Sequence, residues 1–155
     1  MRLTSGALED QLEKLRDLEG RLTFRLSVLS KLLDQHAAGL LKDTPLNLTS
    51  YRLLYVVDTF GEISISDISR FTALDRAQIS RTAGALARRG LVAFAADPRS
   101  RRKKLVRLTE KGKACFEALL PRFLERDRQL DEALGPEGRE ALWRGIGRLD
   151  EVLSR

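Results

Sequence analysis

Cysteine, histidine and tryptophan each occur once in the 155 residues. The lone Cys115 cannot form an intrachain disulfide, and such scarcity points to a reducing, cytoplasmic setting. Metal sites need several His, Cys or carboxylate ligands at suitable spacing. The single His36 has no such company, so neither a metal nor a cofactor is expected. No apolar run approaches the roughly 18 residues of a membrane span. The opening stretch, MRLTSGALEDQLEKLRDLEG, carries acidic residues and no apolar centre, which predicts no secretory signal. There is no Gly-rich phosphate loop, and no motif surrounds His36 or Cys115, so a nucleophile, base and orienting group cannot be assembled. Catalysis is not expected.

What the chain does have is charge, unevenly placed. The formal net charge is +6. Residues 70–113 hold 13 Lys or Arg against Asp75, Asp97 and Glu110, a net of +10, whereas the remainder has 15 basic and 19 acidic residues, a net of −4. A uniformly basic surface would be uninformative. Positive charge gathered into one segment is the electrostatic footprint of a nucleic-acid site.

Hydrophobic periodicity divides the chain. Leu8, Leu12, Leu15, Leu18, Leu22, Leu26, Leu29 and Leu33 recur at steps of three and four, which predicts one long helix whose stripe exceeds the needs of a small core and suits a partner helix. Gly39 and KDTPLN end it. A second helix, TSYRLLYVVDTF, is expected to be capped by Thr49 and stopped by Gly61. Ser64 and Asp67 form a capping box for a short third helix that turns Ile65, Ile68 and Phe71 inward. After the turn at Thr72-Ala73-Leu74, Asp75 caps a fourth helix, with Gln78 as its reciprocal partner and Ile79, Ala83 and Leu86 buried. Two short helices joined by such a turn match a helix-turn-helix. From Gly90 the period changes. Leu91–Ala95 and Lys104–Leu108 read as strands around the basic turn ADPRSRRK, a hairpin that forms the wing of a winged helix-turn-helix. Thr109 caps a fifth helix, which Pro121 is expected to kink or break and Gly135-Pro136 to end before a last helix carrying Trp143. The expected fold is mainly α with a small β-hairpin (α+β). A winged helix-turn-helix lobe spans 46–109, and a long-helix dimerisation region comprises 1–42 and 110–155.

The first two turns of the fourth helix carry Arg76, Gln78, Ser80, Arg81 and Thr82. Arg matches guanine O6 and N7 in bidentate fashion, Gln matches adenine, and hydroxyls suit phosphates or thymine methyl groups. The helix N-terminus adds partial positive charge and free N–H groups. The wing tip gathers Arg99, Arg101, Arg102, Lys103 and Lys104. A narrow minor groove attracts inserted arginine, for which Arg99 is the first candidate, and Asp97 braces the tip rather than touching phosphate. The plainer alternative is a pair of solvated charged surfaces. A cap before the helix and a basic hairpin after it argue against that.

The run DRAQISRTAGALARRGLVAFAADPRSRRKKLVRLTEKG resembles the MarR family of bacterial winged-helix regulators. The similarity lies in the D-x-R of the wing (Asp97, Arg99), the KLVRLTEKG exit from Lys104 to Gly112, and R-x-x-x-x-L-x-R-x-G-L-V from Arg81 to Val92. The resemblance implies a homodimer on a pseudo-palindromic operator in double-stranded DNA, usually a repressor. It also implies, for many relatives, release by a small aromatic or phenolic effector held between the dimer helices and the DNA-binding lobe. Relatives that sense oxidation do so through a cysteine in the first helix. Cys115 lies in the fifth, which argues against that role.

Phe24, Tyr51 and Tyr55 fall where the first and second helices should meet, with Arg25 or Arg52 available to an anionic ligand. They are candidates for an effector pocket; the more ordinary reading of such residues is as plain core aromatics. Trp143 reads as a dimer or core anchor. The alternative to DNA binding is a winged-helix protein-interaction module, since fold alone does not set function.

Overall fold

The structure, a computed structural model, describes the backbone of residues 5–98 and 100–154, and their side chains other than those of 5–7, 9 and 100–103. The chain forms two compact units, Met1–Leu48 and Thr49–Arg155.

The first unit is helical but does not contain the expected single helix. It holds α1 (Ser5–Gly20) and α2 (Leu22–Gly39). The break is Arg21, whose backbone is extended at φ −79° and ψ 118°. Glycine costs about 1 kcal/mol relative to alanine inside a helix, so Gly20 marks a weak point. The Arg21 carbonyl then accepts the Arg25 N–H at 3.1 Å and opens the next helix. Leu8, Leu12, Leu15, Leu18, Leu22, Leu26 and Leu29 are all exposed.

The second unit begins with α3 (Leu48–Phe60), which buries Leu53, Leu54 and Val57. Thr49 lies inside its first turn rather than capping it. Gly61, at φ +75°, stops the helix. Strand β1 (Glu62–Ser64) follows and leads into α4 (Ile65–Thr72), where the Ser64 hydroxyl accepts the Asp67 N–H and donates to the Asp67 carboxylate. Ile68 is fully buried, but Phe71 is exposed, contrary to its expected inward position, and stacks on Phe60 at 4.8 Å. Ala73 takes a left-handed φ of 51° and turns the chain into α5 (Arg76–Arg88).

The hairpin is longer than its sequence pattern and belongs to a three-stranded sheet. Strands β2 (Val92–Asp97) and β3 (Ser100–Leu108) pair antiparallel, and β1 adds to the other edge of β3 with Ile63 opposite Val106. At three residues, β1 is too short for alternation to announce it.

The final element, α6 (Glu110–Leu153), starts at the Thr109 cap. Pro121 does not break it: Gly135, at φ 67° and ψ 169°, is its one non-helical residue. Proline removes the N–H that would donate to the Glu117 carbonyl, and both positions are exposed, so that acceptor is open to solvent. Phe116 and Leu119 are buried, whereas Leu130, Leu134, Leu142, Trp143 and Ile146 are exposed, so Trp143 anchors no core among the described residues. An Asp131–Arg139 ion pair at 3.1 Å spans the bend at Gly135.

Gly112 sits where α6 passes the start of β2. A Cβ built there meets the Leu91 carbonyl oxygen at 1.8 Å. Gly112→Ala therefore overpacks a backbone contact that no rotamer relieves, and destabilisation of about 1–3 kcal/mol is expected in urea unfolding.

Candidate nucleic-acid interface

The position of α5 is fixed at both ends and along one face. At its start the Asp75 carboxylate accepts the Gln78 N–H at 2.9 Å. At its end Gly90, at φ +70°, permits the Leu91 N–H to reach the Leu86 carbonyl at 3.0 Å and the Gly90 N–H to reach Ala87 at 2.9 Å. This pairing satisfies the helix's orphan carbonyls, and the flanking Leu86 and Leu91 are buried together with it. Ile79, Ala83 and Leu86 face the core with essentially no exposure.

That inner face determines what points outward. Arg76, Ser80 and Arg81 are exposed, and Thr82 is half-buried on the flank. Gln78 is also half-buried. Its side-chain amide donates to the Thr49 hydroxyl at 3.4 Å instead of reaching back to Asp75, so the expected reciprocal cap does not form. Arg88 lies beyond the first two turns, where the sequence pattern of base-reading side chains was sought. The helical period puts Arg88 on the same face as Arg81, two turns on, and it is exposed.

In the wing, Asp97 is half-buried and pairs with Ser100 beyond a register shift that follows Ala96. Arg99 lies outside the described residues. Arg101, Arg102 and Lys103 are on the β3 backbone, and their side chains lie outside the description. Lys104 and Arg107 on the same strand are exposed.

The aromatic candidates divide between the two units. Tyr51 is buried, stacked on Phe123 at 3.6 Å and 5.8 Å from Phe116. Burial, followed by the nearby Tyr55 and Asp127, pushes its hydroxyl well above the usual tyrosine range. Tyr55 is half exposed, with its ring edge-on to Phe116 at 5.9 Å. Arg52 is half-buried in the same unit, while Phe24 (half-buried) and Arg25 (exposed) belong to the first. The cluster thus includes Phe116 and Phe123, which sequence reasoning had assigned only to the apolar stripe of α6. Their seven-residue spacing was the available signal. Among the described residues, no group of three His, Cys, Asp or Glu is placed to hold a metal, and no helix is long and apolar enough to cross a membrane.

A capped helix following a short helix and turn, with a β-hairpin after it and a third strand closing the sheet, defines a winged-helix protein. Residues 44–103 match the model of the MarR family. Over 83% of its length the chain is 30% identical to a probable transcriptional regulator from Pseudomonas aeruginosa, covering 99% of that chain with a TM-score of 0.67. The chain belongs to the MarR family. It is also similar to BpsR of Bordetella bronchiseptica, whose DNA binding is regulated by 6-hydroxynicotinic acid. The identity there is 25%, with coverage of 81% of this chain and 98% of that one and a TM-score of 0.67. The HTH-type transcriptional repressor NicR of Pseudomonas putida is 34% identical over 79 residues, 51% of this chain and 50% of that protein, so the match spans half the length of this curated relative.

Proposed function

We propose that the protein is a homodimeric, sequence-specific DNA-binding repressor whose grip is released by a small aromatic acid. The observation that carries this reading is the two-faced construction of α5. Ile79, Ala83 and Leu86 consume its inner face completely, and Arg76, Ser80, Arg81 and Arg88 occupy the outer one, within a segment of net charge +10. In the winged-helix docking mode such a helix enters the major groove, with Arg76, Ser80 and Arg81 at base edges and Thr82 beside phosphate. Gln78, engaged by Thr49, contributes less to base reading than its position in the sequence suggests. Arg99, Arg101, Arg102 and Lys103 on the wing serve the adjacent minor groove and its phosphates, with Asp97 bracing them.

The homodimer is supported by apolar surface that one chain leaves uncovered. Leu130, Leu134, Leu142, Trp143 and Ile146 line a groove of about 390 Å³ on the distal part of α6, and the leucines of α1 and α2 are exposed as well. Contiguous apolar patches of this kind mark interaction surfaces. The effector is supported by BpsR and by chemistry. Within the second unit, a hydroxypyridine carboxylate offers a flat ring to the exposed Tyr55, beside the buried Tyr51, and a carboxylate to Arg52.

Four outcomes are expected. In gel-shift titrations against DNA selected from genomic fragments, with half-sites about ten base pairs apart, Arg81→Ala weakens binding roughly 10-fold or more. Affinity also falls steeply with salt as phosphate counterions are released. Wild-type affinity in Arg81→Ala would count against the base-reading role, and no binding to any fragment at low salt would leave the protein-interaction module in its place. In sedimentation experiments Ile146→Asp converts a dimer to a folded monomer, and an unchanged dimer would refute the proposed surface. In thermal-shift assays 6-hydroxynicotinic acid stabilises the wild type and not Tyr55→Ala. Equal response of the two, or no response from either, removes the pocket assignment.

A further inference from the structure

The joint between α5 and α6 is tied more tightly than chain continuity requires. The two helices are connected in sequence through the whole wing, whose open end closes with Val92 opposite Leu108. One residue beyond, the Thr109 N–H donates to the Leu91 carbonyl at 3.1 Å. The Thr109 hydroxyl donates to the Gly90 carbonyl at 2.6 Å, with the Leu91 carbonyl at 3.2 Å, and accepts the Gly112 N–H at 3.0 Å. Lys111 reaches back to the Arg89 carbonyl at 2.9 Å. The carbonyls of Arg89, Gly90 and Leu91, in succession at the end of α5, are therefore all taken by the first residues of α6. Gly112 packs its bare Cα against the last of them.

Building on the DNA-binding reading, we propose that Thr109 is a positioning residue for operator recognition. Its hydroxyl, seated by Gly112, fastens the end of α5 to the start of α6, so that the direction of α6 sets the angle at which α5 presents Arg76 and Arg81. The backbone bond from Thr109 to Leu91 is independent of the side chain. What the hydroxyl alone adds is the pair of bonds that join Gly90, two residues past the end of α5, to Gly112 in α6's first turn. A hydrogen bond gained or lost there changes the free energy of one arrangement relative to others, not the number of cations facing phosphate. Shifts of α6, whether from dimer geometry or an effector, then reach α5 through a contact rather than through the length of the hairpin.

The test compares Thr109→Val, which keeps the shape and loses the hydroxyl, with Thr109→Ser, which keeps the hydroxyl. Both are assayed at a temperature where circular dichroism finds every variant fully folded, so that loss of the α6 cap cannot masquerade as weak binding. Thr109→Val should bind selected operator about ten-fold more weakly, with unchanged affinity for random DNA and an unchanged salt slope. Thr109→Ser should restore binding to within about two-fold. Hydrogen exchange on the free protein provides a second arm. In Thr109→Val the amides from Ala87 to Leu91 should exchange about ten-fold faster, while those of α3 keep their protection. Wild-type operator affinity in Thr109→Val overturns the proposal. So does wild-type exchange in the last turn of α5, and so does a loss that the serine variant fails to recover. If the wild-type protein binds no DNA, the repressor reading falls and the exchange arm alone decides whether the joint exists.

Discussion

Burial of Ile79, Ala83 and Leu86 is the constraint on which the remaining arrangement rests. Three apolar side chains at steps of four and three can be covered together only if α5 lies with one generatrix against the core, and that orientation leaves no freedom in where Arg76, Arg81 and Arg88 project. Burying Ile79 or Leu86 contributes about 1.5–3 kcal/mol of apolar transfer free energy, whereas an exposed ion pair contributes about 1 kcal/mol or less. The positions of the basic residues are thus held by apolar packing. The caps at Asp75 and Gly90 fix the remaining coordinate, translation along the axis, by fixing where the helix begins and ends.

The winged lobe was legible because its signals are local and redundant. Ser64 before Asp67, Asp75 before Gln78, Gly90 after Arg89 and Thr109 before Gly112 each announce a helix boundary by short-range chemistry, and each reappears as a backbone hydrogen bond or a positive φ. Where the reading departed from the structure, a longer-range preference had prevailed. The leucine stripe runs through Gly20 and Arg21 without interruption, so periodicity alone could not reveal a backbone that turns extended for a single residue. Phe71 fits the inward spacing of α4 but finds Phe60 at the surface instead of the core. Strand β1 exists because β3 offers it an edge, and that information resides in residues more than forty positions downstream.

The site was legible unevenly. Residue type and helical phase identify the outer face of α5, and the same phase carries it on to Arg88. Sequence spacing alone does not reveal that Gln78 spends its amide on Thr49, twenty-nine residues away, nor that Tyr51 stacks on Phe123. Both pairings depend on helices meeting in three dimensions.

The non-helical Gly135 divides α6 mechanically. Its φ of 67° with ψ of 169° belongs to a region essentially confined to glycine, and the hydrogen-bond ladder is interrupted there. The only ion pair that crosses the interruption among the described residues, Asp131 with Arg139, is half exposed and weakened by screening. The proximal part, Glu110–Leu134, is a strut roughly 37 Å long at 1.5 Å per residue. The direction of the strut that starts at Thr109 is therefore set by the residues before Gly135, and the direction of the part that carries Trp143 by the backbone of that one glycine.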